Sequence, residues 1–176
     1  MEQLSHRDIL AMMEPVGYLT DTSLGSPRTP WFRFHPGRPQ WASEDKVPCV
    51  YAWVVRADTG NPEIVYIGKG SKGLVARCRQ HEQGFRGKDG KGKSNGDKIM
   101  EYMRDGRVEV WAMWPEPALF RNIAIPSQSA VEDWLLAAID EPPKLNKEAA
   151  AKARAEAIAA GTYVPKRRKA KPMAES

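Results

Sequence analysis

Two phenols, a guanidinium paired with an imidazole, and a carboxylate follow one another along this chain in an order that phosphodiester chemistry could use. Tyr51 lies in the run Pro48-Cys49-Val50-Tyr51-Ala52-Trp53-Val54-Val55, and Tyr66 opens Tyr66-Ile67-Gly68, 15 residues further on. Arg77 and His81 are spaced i,i+4 in a helix-forming stretch and share one helix face. Glu132 begins a later helix, where the positive end of the dipole tolerates a carboxylate. Asn146 follows a proline stop in Pro143-Lys144-Leu145-Asn146. Cleaving a phosphodiester requires an activated water, positive charge on the phosphate and stabilisation of the leaving oxygen. This set contains candidates for each requirement.

The elements that must position these residues are legible in part. Two β-rich runs, 47–57 and 63–68, joined by Thr59-Gly60-Asn61-Pro62, predict a hairpin. The second run ends in Gly68 and Gly70, where backbone can turn or approach a ligand. A helix is expected over 71–83, with Leu74 and Cys78 inward, so that Arg77 and His81 face the hairpin. Residues 84–98 have no apolar period and predict a mobile glycine/lysine loop. They lack the strand-to-helix setting of a P-loop. A short helix over 97–104 and a strand over 107–114 follow. Next comes a helix over 129–140, opened by a Ser129–Glu132 capping box and stopped at Pro142-Pro143. At the N-terminus, Ser5 and Asp8 predict a capped helix over 5–14. Residues 21–46 read as an irregular arm whose Trp31, Phe32, Phe34 and Trp41 pack on the core or stack on bases. Residues 147–160 are an alanine-rich helix with a weak apolar face, and a disordered basic tail follows. No internal repeat is visible.

Composition narrows the classes. The chain has 176 residues, enough for one domain with extensions. A hydrophobic content of 41% implies that some of it is tail or loop. It contains no run of about 18 apolar residues, which argues against a membrane helix, and no apolar leader. Two cysteines, Cys49 and Cys78, make neither a disulfide framework nor a zinc site. The net charge of +5 is unevenly distributed. Residues 66–107 carry 11 Lys/Arg against 5 Asp/Glu, and residues 144–176 carry 9 against 3, whereas the first 46 carry 5 against 6. Such concentration suits a nucleic-acid partner, since phosphate neutralisation supplies most of that affinity.

Taken in order, these pieces resemble the GIY-YIG nuclease family. Cys49-Val50-Tyr51 corresponds to the first signature, with cysteine where the family has glycine, and Tyr66-Ile67-Gly68 is the second signature intact. Arg77 and His81 match the arginine and histidine of the following helix. Glu132-Asp133-Trp134-Leu135-Leu136, and then Pro143 and Asn146, match the later glutamate, proline and asparagine. The resemblance covers roughly residues 47–147, and the turn between the signatures is longer than the family norm.

The resemblance implies an α/β (α+β) domain over 47–147, with a small three-stranded, mainly antiparallel sheet flanked by helices. Residues 1–46 would form the N-terminal helix and arm, and 148–176 the C-terminal helix and basic tail. It implies a divalent-metal-dependent DNA endonuclease, a stand-alone restriction-type or phage-type enzyme. Glu132 would hold one Mg²⁺ (or Mn²⁺) per active site. Arg77 would grip the scissile phosphate, and Tyr51 or Tyr66 would position or deprotonate the water. A phenol with a pKa near 10 needs nearby positive charge to act as a base, from Lys69 or Arg77. His81 would relay a proton or fix the phosphate, with Gly68 and Asn146 in support. Arg79, Arg86, Lys88, Lys91, Lys93 and Lys98 are the expected DNA contacts. The expected partners are DNA and, for cutting both strands, a second copy of the chain. No membrane and no small-molecule cofactor are expected, and the expected location is the cytoplasm of a prokaryotic or phage-infected cell. The alternative is a non-catalytic DNA-binding protein that retains the fold, for which Cys49 is the only support.

Overall fold

The computed structural model describes residues 3–21, 28–36, 47–57 and 60–162. Helix α1 spans His6–Leu10 and carries the expected capping box between Ser5 and Asp8. It is shorter than the predicted 5–14, because Pro15 and Gly17 suit extended chain and the backbone turns into strand β1, Glu14–Asp21. Strand β2 is Pro30–Phe34. The hairpin follows as β3, Cys49–Ala57, and β4, Glu63–Gly70. Helices α2, Leu74–Phe85, and α3, Gly90–Asp105, lead into β5, Gly106–Met113. A small separate hairpin, β6 (Ala118–Phe120) and β7 (Ile123–Ile125), precedes α4, Gln128–Ala138, and α5, Lys147–Ala159.

The fold is α+β, and its main sheet is five-stranded and antiparallel, in the order β2-β1-β5-β3-β4. The expected three strands are its β4, β3 and β5. The other two come from a stretch that reads as helix end and irregular arm. In β1 a register shift between Pro15 and Gly17 disrupts the alternation that would signal a strand. In β2, Phe32 is buried, with its ring 6.0 Å from Trp53 and 6.1 Å from Phe85. The backbone N–H of Phe32 donates to the buried Glu82 carboxylate at 3.0 Å. The arm aromatic Phe32 thus packs into the core, and Phe34 packs partly against it; Trp41 lies outside the described residues.

Side chains alternate across β3, so each face has its own core. Cys49, Tyr51 and Trp53 point to one side, where Leu74, Cys78, Phe85 and Ile99 of α2 and α3 cover them. Val50, Ala52 and Val54 point to the other, against Ile9 and Leu10 of α1, Leu135 and Leu136 of α4, and Ala150 and Ala153 of α5. Arg154 of α5 donates to the carbonyls of Ala137 and Ile139, satisfying the end of α4.

The predicted glycine/lysine loop is largely helix, because α3 begins at Gly90 and not at residue 97. Its glycines act as contact points. A Cβ at Gly92 would lie 2.9 Å from Cα of Gly84, and one at Gly96 would lie 3.1 Å from Cβ of Phe85. Close approach of α2 and α3 therefore offsets the weak helix propensity of these residues, about 1 kcal/mol each. The Ser129–Glu132 capping box does not form: α4 starts one residue earlier, and Ser127 Oγ donates to the Glu116 carbonyl at 2.6 Å. No described helix is long and apolar enough to cross a membrane.

Candidate active site

The site begins with a residue that has no side chain. Tyr51 of β3 pairs across the sheet with Gly68 of β4. A Cβ at 68 would lie 2.7 Å from the Tyr51 hydroxyl oxygen and 2.7 Å from Cε1 of Tyr66. Glycine is required there because both phenol rings lie over that backbone. The rings are 5.9 Å apart, and Tyr66 stacks on Trp53 at 4.3 Å.

Helix α2 supplies the partners, because burial of Leu74 and Cys78 turns Arg77 and His81 toward the hairpin. The Tyr51 hydroxyl lies 2.5 Å from Nε2 of His81, and it accepts from Nε of Arg77 at 3.3 Å. A guanidinium has only donors. With its oxygen accepting from Arg77, Tyr51 can direct its own proton to an unprotonated Nε2, which puts the imidazole proton on Nδ1. The imidazole sits among Trp53, Tyr66 and Phe85, at ring distances of 4.8, 5.5 and 6.0 Å. Burial and the charge of Arg77 push its pKa down to about 3. Tyr51 has no exposed surface. Burial and neighbouring Tyr66 raise its pKa well above 10, and Arg77 pulls the other way without prevailing. Both groups are therefore neutral at pH 7. Arg77 is half-buried, and burial opposes its charge. The adjacent Tyr51 and Tyr66 outweigh that, and Arg77 Nη1 also donates to Gln80 at 2.9 Å.

The other members lie around the far side of β4. Neighbouring side chains on a strand point to opposite faces, so Lys69 points away from the tyrosines. Its ammonium meets a carboxylate oxygen of Glu132 on α4 at 2.9 Å, with side-chain exposures of 38% and 15%. Burial raises the Glu132 pKa, Lys69 counters it, Asp133 adds to it, and the field of Arg77 reaches the carboxylate and lowers it. A groove of about 330 Å³, lined by Lys69, Ser71, Lys72, Gly73, Arg77 and Gln80, joins Lys69 to Arg77. Its charged lining is entirely cationic.

Asn146 stands outside this groove. It is buried; its Nδ2 donates to the Ile67 carbonyl at 2.6 Å, and its Oδ1 accepts from the Ile67 N–H at 3.4 Å. The Leu145 N–H donates to the Val65 carbonyl at 2.9 Å. Strand β4 is the sheet's edge, so its outward backbone groups need such partners. Asn146 thus holds the strand that carries Tyr66, Gly68 and Lys69. Cys49 is buried and contacts the Gly70 carbonyl at 4.0 Å, with no hydrogen bond to either phenol.

The expected DNA contacts are distributed over α2, α3 and the turn between them, not over a loop. Arg79 and Lys88 are exposed. Arg86 lies over the Trp31 ring at 4.9 Å and 3.9 Å from Glu82. Lys93 is ion-paired with Asp97, and Lys91 lies 3.9 Å from Glu148. Lys91 and Lys98 share a second groove, of about 280 Å³, with Lys144 and Lys147.

Sequence reasoning missed Lys72, Gln80 and the aromatic cage of Trp53 and Phe85. Gln80 sits one turn beyond Arg77, a spacing that could have flagged it.

Among the described residues, no three His, Cys, Asp or Glu side chains group to hold a metal. The donor set fits a hard cation that takes one protein carboxylate and fills its sphere with water and phosphate oxygens. Glu132 offers such a carboxylate, and its present partner Lys69 is a flexible, partly exposed cation. Comparison with protein-family models, curated proteins and solved structures finds no match to this chain.

Proposed function

We propose that this protein is a divalent-metal-dependent DNA endonuclease of GIY-YIG type. The observation that carries the reading is the Tyr51–His81–Arg77 hydrogen-bond set, with Tyr66 beside it across Gly68 and the Lys69–Glu132 pair around the same strand. These residues are dispersed in the sequence and come from four elements.

The burial difference divides the tyrosines. Water cannot reach the Tyr51 hydroxyl, and its pKa is well above 10. Tyr51 is therefore a positioning residue that holds Arg77 through Nε and leaves the rest of the guanidinium for a phosphate. Tyr66 is partly exposed and borders Arg77, so it is the phenol that meets the attacking water. Arg77 binds the phosphate by charge-assisted hydrogen bonds. Lys69 and Lys72 add positive charge along the groove and draw the backbone in. His81, neutral at working pH, fixes the Tyr51 proton and keeps the cluster in one arrangement. Glu132 would hold Mg²⁺ or Mn²⁺, which when bound supplies Lewis-acid charge to the phosphate and the leaving oxygen. To hold that ion Glu132 would part from Lys69, whose ammonium could then face the phosphate.

The test is nicking of supercoiled plasmid by purified protein in Mg²⁺ against EDTA. Metal-dependent conversion to open-circular or linear DNA supports the reading. Salt-sensitive binding with no cutting of plasmid, branched or single-stranded DNA would leave a non-catalytic DNA-binding protein on the same fold.

A further inference from the structure

The apolar hairpin β6–β7 belongs to neither core. Leu119, Phe120, Ile123 and Ile125 are 74%, 60%, 66% and 47% exposed, an unusual concentration of apolar surface. Among the described residues its two strands pair only with each other. Its stem is stiff, with Pro115 and Pro117 leading in, Pro126 leading out, and the Ser127–Glu116 hydrogen bond closing the base. At its tip, Arg121 and Asn122 both adopt the left-handed backbone region, with φ of 47° and 66°. Asparagine tolerates this, but arginine does so at a cost, and glycine would turn the chain more easily. The conformation presents a guanidinium at the apex, where Arg121 lies over the Phe120 ring at 5.4 Å. From Pro117 to Val131 it is the only charged residue.

The mounting matters as much as the tip. Strand β5 pairs Met113 with Val50, next to Tyr51, and then leaves the sheet toward the hairpin. Helix α4, carrying Glu132, begins three residues after β7 ends. The hairpin is thus inserted in the chain between the strand that pairs with that of Tyr51 and the helix that carries Glu132.

We propose that β6–β7 is a DNA-groove probe, its Phe120-Arg121-Asn122-Ile123 tip entering a duplex groove beside the phosphate being cut. This rests on the nuclease reading above. A two-stranded ribbon fits the major groove, where arginine and asparagine read guanine and adenine edges and an apolar side chain such as phenylalanine contacts the thymine methyl. The single positive charge without acidic neighbours favours a polyanion. The hairpin's attachment through the strand beside Tyr51 and the helix of Glu132 favours the polyanion being cut over a second copy of the chain.

The experiment measures duplex binding by fluorescence anisotropy in a Glu132→Ala background, with Phe120→Ala/Arg121→Ala and, separately, Arg121→Gly added. Oligomeric state is read by light scattering. Cleavage is followed in the Glu132-intact proteins. The expected result is at least about tenfold weaker binding for the double variant, as for loss of a base-contacting arginine and an apolar base contact. Arg121→Gly, which relieves the turn, should weaken binding without lowering the melting temperature. Cleavage at saturating DNA should persist in both. Wild-type cutting with unchanged affinity in both variants overturns the probe alone. Unchanged affinity together with loss of a dimer reassigns the hairpin to self-association. A wild type that neither binds nor cuts DNA removes the nuclease reading itself, and the probe with it.

Discussion

The two sides of β4 solve opposite electrostatic problems. On one side Tyr51 is sealed in the core and His81 lies half-buried beside Trp53 and Phe85, and both are held neutral by desolvation. On the other, the Lys69 ammonium meets the Glu132 carboxylate at 2.9 Å, and Lys69 remains partly in water. The sealed side has one arrangement, fixed by packing and hydrogen bonds. The paired side has a partner that can be exchanged. A site with the proposed function, holding a phosphate rigidly and admitting a cation reversibly, would need both kinds of order. The strand between them carries glycine at 68 because the sealed side leaves no room for a Cβ.

The comparison breaks most visibly at the paired side. Glu132→Ala should lower the Mg²⁺-dependent cleavage rate by about 10³-fold or more, a loss typical of removing a directly acting electrostatic group. Thermal stability should hold, because the carboxylate removed was partly buried and its pKa raised; a melting curve beside the rate checks this. On the sealed side the expected pattern is reversed. Gly68→Ala forces the two rings apart and should cost about 1–3 kcal/mol, read by chemical denaturation, as overpacking does. It should also take most of the activity.

The two tyrosines sharpen the contrast. Tyr51→Phe removes the acceptor for Arg77 and the donor to His81. It should cost about 1–3 kcal/mol, as losing one partner from a buried hydrogen-bond set does. Cleavage should fall less in Tyr51→Phe than in Tyr66→Phe. Tyr66→Phe should leave the fold nearly unchanged while removing the hydroxyl proposed to meet the water. Single-turnover rates of the two, compared with their melting temperatures, separate positioning from direct action.

The smallest effects are on pH. Glu132 must be ionised to hold a cation, and its pKa lies above the usual 4.5. Cleavage should therefore fall on acidification at a pH above the ordinary carboxylate range. Lys69→Met removes the nearest positive charge, so that limb should move to still higher pH. His81 titrates near 3 in the folded protein against 6.5 in an exposed histidine. The unfolded chain takes up that proton first, so its contribution to stability is present above 6.5 and lost as pH falls toward 3. His81→Phe should flatten this part of the stability profile, measured by urea unfolding at a series of pH values.

What could be read in the sequence follows the same division. The hairpin and the i,i+4 pair are visible because local spacing places them, Glu132 is singled out by the family resemblance, and the structure brings them around one strand. The assignment of roles between Tyr51 and Tyr66 was not visible. Both stand in similar runs, and only the cover of α2 and β2 buries one hydroxyl and leaves the other near solvent. Strands β1 and β2 were missed because the register shift at Pro15 and Gly17 disrupts alternation and β2 is five residues long. The helical start of α3 was missed because Gly92 and Gly96 read as loop signals, whereas their missing side chains serve contact with α2. Asn146 reads in the sequence as a support for the loop and Glu132, whereas in the structure its hydrogen bonds go to the Ile67 backbone.

The most direct test of the two-sided site is the single-turnover cleavage rate of a labelled duplex in Mg²⁺, for wild type, Arg77→Ala and Glu132→Ala prepared in parallel. The expected result is cutting by wild type and loss of about 10²-fold or more in each variant, with circular dichroism spectra that coincide. Equal rates in all three would contradict it, because neither the sealed side nor the paired side would then act on the phosphate.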